Sequence, residues 1–212
     1  MDACCEQKAE ELSALRGKHK RVLTIVLVIN ALLFFVEAAA GLLANSTALL
    51  ADSLDMLGDS LVYGFSLYVL WRGAPWKARA ALLKGTIMAV FGVGVLLEVI
   101  YKIISGVVPS AETMGIVGAL VLLGNGICFL LLFAHRSDDL NMRSTWLCSR
   151  NDIIANLAVL AAAGAVKIFT SSWPDILVGA AISGLFLKSA LTVIHESVLQ
   201  LRISRGQPMT AA

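Results

Sequence analysis

The sequence predicts an all-α membrane protein of six transmembrane helices with both termini in the cytoplasm, and three observations carry that reading. Of 212 residues, 58% are hydrophobic and only 15% charged, with the charged ones crowded into short stretches, as in a chain that lives in a bilayer. The apolar runs, roughly 22–43, 46–71, 80–107, 113–135, 140–169 and 174–198, are each long enough to cross a hydrocarbon core of about 30 Å at 1.5 Å per residue. Basic residues fall on alternate connections. Lys18, Lys20 and Arg21 precede the first run, Arg72, Lys77 and Arg79 lie between the second and third, Arg136 and Arg143 between the fourth and fifth, and Arg202 and Arg205 follow the sixth. The connections near Ala44-Asn45-Ser46, Val108-Pro109-Ser110 and Thr170 to Pro174 carry no Lys or Arg, so the basic side is cytoplasmic.

The organisation follows: residues 1–21 are a polar cytoplasmic lead, 22–198 the six-helix transmembrane domain, and 199–212 a short cytoplasmic tail. The lead has no short apolar core followed by a cleavage site, so it does not read as a signal peptide. No stretch is large enough for a soluble domain, and function is expected within the bundle. A net charge of +2 is too small to imply nucleic acid. The cysteines do not read as a disulfide framework: Cys4 and Cys5 are vicinal on the predicted cytosolic side, and Cys128 and Cys148 lie at membrane depth.

Taken in order, span one holds Asn30 and Glu37, the latter read as an acid near the headgroups or paired with a neighbouring helix, with a role in ion entry as the alternative. Asn45-Ser46 offers a short turn and a cap for span two, which ends at Trp71-Arg72-Gly73-Ala74-Pro75-Trp76-Lys77, an aromatic and basic interfacial stop. Span three carries Gly85, Gly92 and Gly94 for close packing, together with Glu98 and a Lys102 expected to snorkel outward, as Lys167 does from span five. Span four offers Asn125 as an interhelical hydrogen bonder and Cys128 as a small buried apolar residue. Asp138 or Asp139 can cap span five, Pro174 suits a first helical position of span six, and His195 reads as a solvated interface residue.

The chemistry is concentrated in spans two and five. At 100° per residue, Asp52, Asp55 and Asp59 fall within roughly 60° of one another on one helix face. Charged groups at membrane depth normally face a protein interior or an ion path. Asp55 and Asp59 are spaced i, i+4, as are Cys148 and Asp152, so two helix faces offer four ligands, the number a tetrahedral dication takes. Asp59 lies twelve residues before Trp71 and Asp152 twelve after Leu140, which puts both about 18 Å from the cytoplasmic edge. With no basic partner expected at that depth, the acids would repel unless a cation joined them. Asp52 reads as a neighbour that anchors the helix beside the ligands, and Asn156 as either a hydrogen bonder on the ligand side or a packing residue.

A thiolate among carboxylates favours Zn²⁺ or Cd²⁺ over Co²⁺, Ni²⁺ and Mn²⁺, and disfavours Mg²⁺ and Ca²⁺. Three carboxylates and a thiolate would bring −4 against the ion's +2, so at least one proton is expected to stay in the loaded site, shared with Asp52. Cys4-Cys5 reads as a cytosolic metal pick-up or as a vicinal pair without function. An enzyme is not expected, since there is no HExxH pattern and no His at the site, and no cofactor is expected beyond the metal itself.

Asp55-Met56-Leu57-Gly58-Asp59 and Cys148-Ser149-Arg150-Asn151-Asp152 resemble the paired ligand motifs of the cation diffusion facilitators, each a ligand, three residues and an Asp. Ala51-Asp52-Ser53-Leu54 and Trp173-Pro174-Asp175 also resemble that family. The resemblance implies efflux of divalent transition metals from the cytoplasm by exchange for protons, from a homodimer in the lipid bilayer, here expected in a bacterial inner membrane. Two features depart from the family pattern: Cys148 stands where His or Asp is usual, and few residues follow span six, where a cytosolic domain is common. A membrane-embedded metal sensor or accessory subunit is the alternative.

Overall fold

The structure, a computed structural model, describes residues 20–69, 74–134 and 140–204. Among them there are six α-helices and no strand: α1 (Lys20–Ala44), α2 (Thr47–Val69), α3 (Ala74–Ser105), α4 (Ala111–Ala134), α5 (Leu140–Phe169) and α6 (Trp173–Ser204). Five contain stretches long and apolar enough to cross a membrane: Thr24–Ala44, Ala78–Ser105, Ala111–Ala134, Ser149–Phe169 and Trp173–Arg202. The sixth, α2, has 23 residues, a length of about 34 Å, but carries Asp52, Asp55 and Asp59. Its acids turn inward, with Asp52 and Asp59 buried and Asp55 half-buried. Lipid is left to residues such as Leu43, Ile104 and Ile168 on the outer faces of α1, α3 and α5, which are more than three-quarters exposed.

The three connections without Lys or Arg gather at one end of the bundle, and each begins with a left-handed residue that ends the preceding helix. Asn45 closes α1 at φ 51°, with Asn45 N–H donating to Leu42 C=O and Ser46 N–H to Gly41 C=O, the paired bonds of a Schellman cap. Gly106 and Thr170 close α3 and α5 at φ 64° and 48°, each through a single bond to the carbonyl four residues back. The β-branched Thr170 is strained there, where Gly106 is not. Ser110 N–H donates to Ala44 C=O at 3.0 Å, tying the start of α4 to the end of α1. Pro174 occupies the second helical position of α6 rather than the first, because Ile176 N–H already bonds Ser172 C=O; the amide it lacks would have been unsatisfied in either place.

Two apolar clusters form the core, and α2 contributes to both. Ala40, Ala44, Ala48, Leu49, Met114, Val159, Ala162, Ala163 and Val166 join α2 to α1, α4 and α5. On its other side, Ala51 and Leu54 pack with Met88, Val95, Phe186 and Ala190 of α3 and α6. Small residues let the helices close up: a Cβ on Gly41 would stand 2.9 Å from the Leu50 side chain, and one on Gly179 only 2.7 Å from the Thr47 backbone. The acidic helix is thus the central post of the bundle.

Lys102 departs from its expected outward course. It is 2% exposed and its ammonium lies 2.6 Å from Oδ2 of the fully buried Asp175, also donating to the Asn45 carbonyl. Asp175 further accepts the Ser46 hydroxyl at 2.6 Å, the Thr47 hydroxyl and N–H at 2.7 and 2.9 Å, and the Ala48 N–H at 3.1 Å. A carboxylate from α6 therefore caps α2, where orphan N–H groups and the positive end of the helix dipole favour an anion. Snorkelling loses because a better partner lies inward. Lys167 is exposed, as expected.

Candidate metal centre

α2 presents its carboxylates in two layers. Asp55 and Asp59 form the layer nearer the basic end of the bundle, and Asp52 sits one turn closer to the end where the short connections gather. α5 matches this, with Asp152 half-buried beside α2 and the fully buried Asn156 one turn beyond it. Asp152 is near enough to act electrostatically on Asp52. Asp59 lies ten residues from Val69, the last described residue of α2, and Asp152 twelve from Leu140, the first described residue of α5.

Asp55, Asp59 and Asp152 each take part in further polar or electrostatic contacts. Among the described residues, however, no three His, Cys, Asp or Glu side chains are gathered closely enough to hold one ion. Cys148 belongs to α5 by its backbone, but its side chain lies outside the described residues, as do Cys4 and Cys5. The loop acids Asp138 and Asp139 and the interfacial Trp71 and Arg72 also lie outside them; at the start of α3, Arg79 stacks over the Trp76 ring at 5.2 Å.

The layer beyond the aspartate pair is hydrogen-bonded across three helices. Asn156 Nδ2 donates to Asp52 Oδ2 at 2.7 Å, and Asn125 Nδ2 of α4 donates to Asn156 Oδ1 at 3.1 Å. Asn156 is therefore the hydrogen bonder of its two readings, and Asn125 is the interhelical bonder its sequence context indicates. Glu37 is not at the headgroups. It has no exposed surface and faces Asp52 from α1, and no N–H or O–H of any other described residue reaches its oxygens. Asn30, one further face residue of α1, donates to its own helix at Val26 C=O and takes no part.

One expectation needs correction. A basic group does lie at the depth of the acids: Lys84, ten residues into α3, is 5% exposed and engaged with a neighbour. The interior at this depth therefore holds a basic side chain as well as the aspartates. The signal was in the chain, since Lys84 stands among apolar residues on a span whose basic flank ends at Arg79. Cys128 is a buried residue of α4, one turn from Asn125.

The arrangement places carboxylates of α2 and α5 inside the bundle, with the hydrogen-bonded Asp52–Asn156–Asn125 layer beyond Asp55 and Asp152. Residues 23–202 match the family model described as the cation efflux transmembrane domain, which spans all six helices almost end to end. No curated protein matches the chain.

Proposed function

Because the chain belongs to the cation efflux family of membrane metal-cation transporters, we propose that it exports divalent transition-metal ions from the cytoplasm in exchange for protons. Zn²⁺ and Cd²⁺ are the favoured ions, with Co²⁺, Ni²⁺ and Mn²⁺ after them. Asp55 and Asp59 of α2 and Cys148 and Asp152 of α5 bind the ion. Carboxylate and thiolate oxygens and sulfur around one tetrahedral ion are a zinc-type donor set. The observation that carries the reading is the central acidic helix: α2 packs on both sides within the bundle, yet buries Asp52 and Asp59, half-buries Asp55, and sets Asp52 against Glu37 of α1 and Asn156 of α5. Such groups at membrane depth belong to ion pathways.

Protons and metal compete for the same donor atoms, so whichever is more concentrated on the open side fills the site. The two-sided packing of α2, against α1, α4 and α5 on one face and α3 and α6 on the other, supports exposure of the site to each side in turn by rocking of these groups. The termini lie in the cytoplasm, from the distribution of Lys and Arg, and the working unit is a homodimer in a bacterial inner membrane.

Flux tests this. Protein reconstituted in liposomes with an outward-directed zinc load and an inward proton gradient moves zinc, and Asp59→Ala abolishes the movement. Zinc binding without gradient-driven movement would instead make the protein a metal-binding accessory, and full movement by Asp59→Ala would reject the site.

A further inference from the structure

Glu37 is a carboxyl group of the bundle's interior that belongs to neither the metal layer nor the Asp175 cap. It lies on α1, with no exposed surface, and neither of its oxygens is reached by an N–H or O–H group of another described residue. What it faces is Asp52, at hydrogen-bonding range, and Asp52 is itself half satisfied: Oδ2 accepts the Asn156 amide at 2.7 Å, while Oδ1 has no donor. Two bare carboxylates at such range have no hydrogen between them and place two like charges together in an apolar bundle, the costliest arrangement available to them. A single proton between them leaves one charge and creates one strong O–H···O bond.

A second dication fits less well. Asn156 and Asn125, the other polar groups of this layer, are engaged with Asp52 and with each other. Only two carboxyl groups then remain to bind an ion. The proton needs nothing further. Its charged surroundings are Asp55 on α2, which acts on Glu37, and Asp152 on α5, which acts on Asp52; α4 contributes the neutral Asn125.

We propose that Glu37 and Asp52 together bind one proton, at a site separate from the four metal ligands, and that a dication arriving in the ligand layer displaces it. The two sites are close enough to sense each other: Asp52 is three residues from Asp55 and Asn156 four from Asp152, about 5–6 Å along the helices. A dication at that distance balances the second negative charge of the pair, and the proton leaves to water. At this pair, metal and proton exclude one another through charge, in addition to their competition for the ligand atoms, so a proton kept by the loaded site resides on the ligands and not on Asp52; the Asn125–Asn156 relay holds Asp52 in place in both states.

The inference rests on the metal layer proposed above, and infrared difference spectroscopy with zinc as the probe separates the two. Metal-free wild type shows the C=O stretching band of a protonated carboxyl group, the band disappears on zinc addition, and Glu37→Gln lacks it. The slope of log Kd for zinc against pH becomes shallower by about one in Glu37→Gln, one proton fewer being released per ion. Glutamine keeps the shape of the side chain and offers Asp52 an N–H, so this variant retains the packing. The wild-type spectra decide the matter even where a variant is unstable: no band in zinc-competent wild type, or a band that survives zinc, overturns the proposal. A band retained in Glu37→Gln, an unchanged slope, or a second zinc ion lost with Glu37 overturns it as well. Wild type that binds no zinc at all counts against the metal layer.

Discussion

Removing Asp175 should unpin the helix that carries the metal ligands. In Asp175→Ala, Thr47 N–H and Ala48 N–H lose the carboxylate that caps α2, a change of about 0.5–2 kcal/mol for a typical cap. The larger effect is on Lys102, whose ammonium is 2% exposed and loses its charged partner at 2.6 Å; leaving one member of a buried pair alone costs about 3–5 kcal/mol. Together the loss is about 3.5–7 kcal/mol, comparable with the whole stability of many domains. Lys102→Met alone is milder, about 1.5–3 kcal/mol, since Asp175 keeps four other hydrogen bonds. The double variant Asp175→Ala with Lys102→Met should recover about 3 kcal/mol of the single-variant loss, because no buried charge then remains. Reversible unfolding in detergent micelles, compared across the three variants, measures that coupling. A double variant no more stable than Asp175→Ala would refute the reasoning, as would an Asp175→Ala protein of wild-type stability.

Other perturbations have equally definite outcomes. Gly179→Ala puts a methyl group 2.7 Å from the Thr47 backbone, so it forces α6 from α2 and destabilises by about 1–3 kcal/mol in the same unfolding assay. Cys148→Ser replaces the soft donor by a hard one, and competition binding should show Cd²⁺ losing more affinity than Mn²⁺. Asn156→Leu leaves Asp52 without its donor and Asn125 without an acceptor, and should lower zinc transport by more than it lowers zinc binding.

Much of this architecture was legible in the sequence because a membrane makes few demands and makes them strictly. Length and hydropathy define five of the helices, and the turn residues Asn45 and Pro174 mark ends that the structure places within a residue or two. The inward face of α2 was legible too, since aspartates at 52, 55 and 59 can share only one side of a helix. What escaped is what depends on partners far apart in the chain. Lys102 was read by its distance from the membrane edge, yet its direction is decided by Asp175, 73 residues away. For Glu37 the sequence allows a place near the headgroups, a pairing with a neighbouring helix or a role in ion entry, and only the packing of α1 on α2 brings it to Asp52. Lys84 and the Asn125–Asn156 bond are of the same kind: the residue types are visible, but the pairings arise from tertiary packing.

The central claim is that one dication bridges α2 and α5 through three carboxylates and a thiolate. X-ray absorption at the zinc edge on the zinc-loaded protein tests it most directly. The expected shell is four-coordinate, with one sulfur at about 2.3 Å and oxygens at about 2.0–2.2 Å, the sulfur vanishing in Cys148→Ser. A wild-type shell of oxygens and nitrogens without sulfur, or one unchanged by Cys148→Ser and by Asp59→Ala, would contradict it.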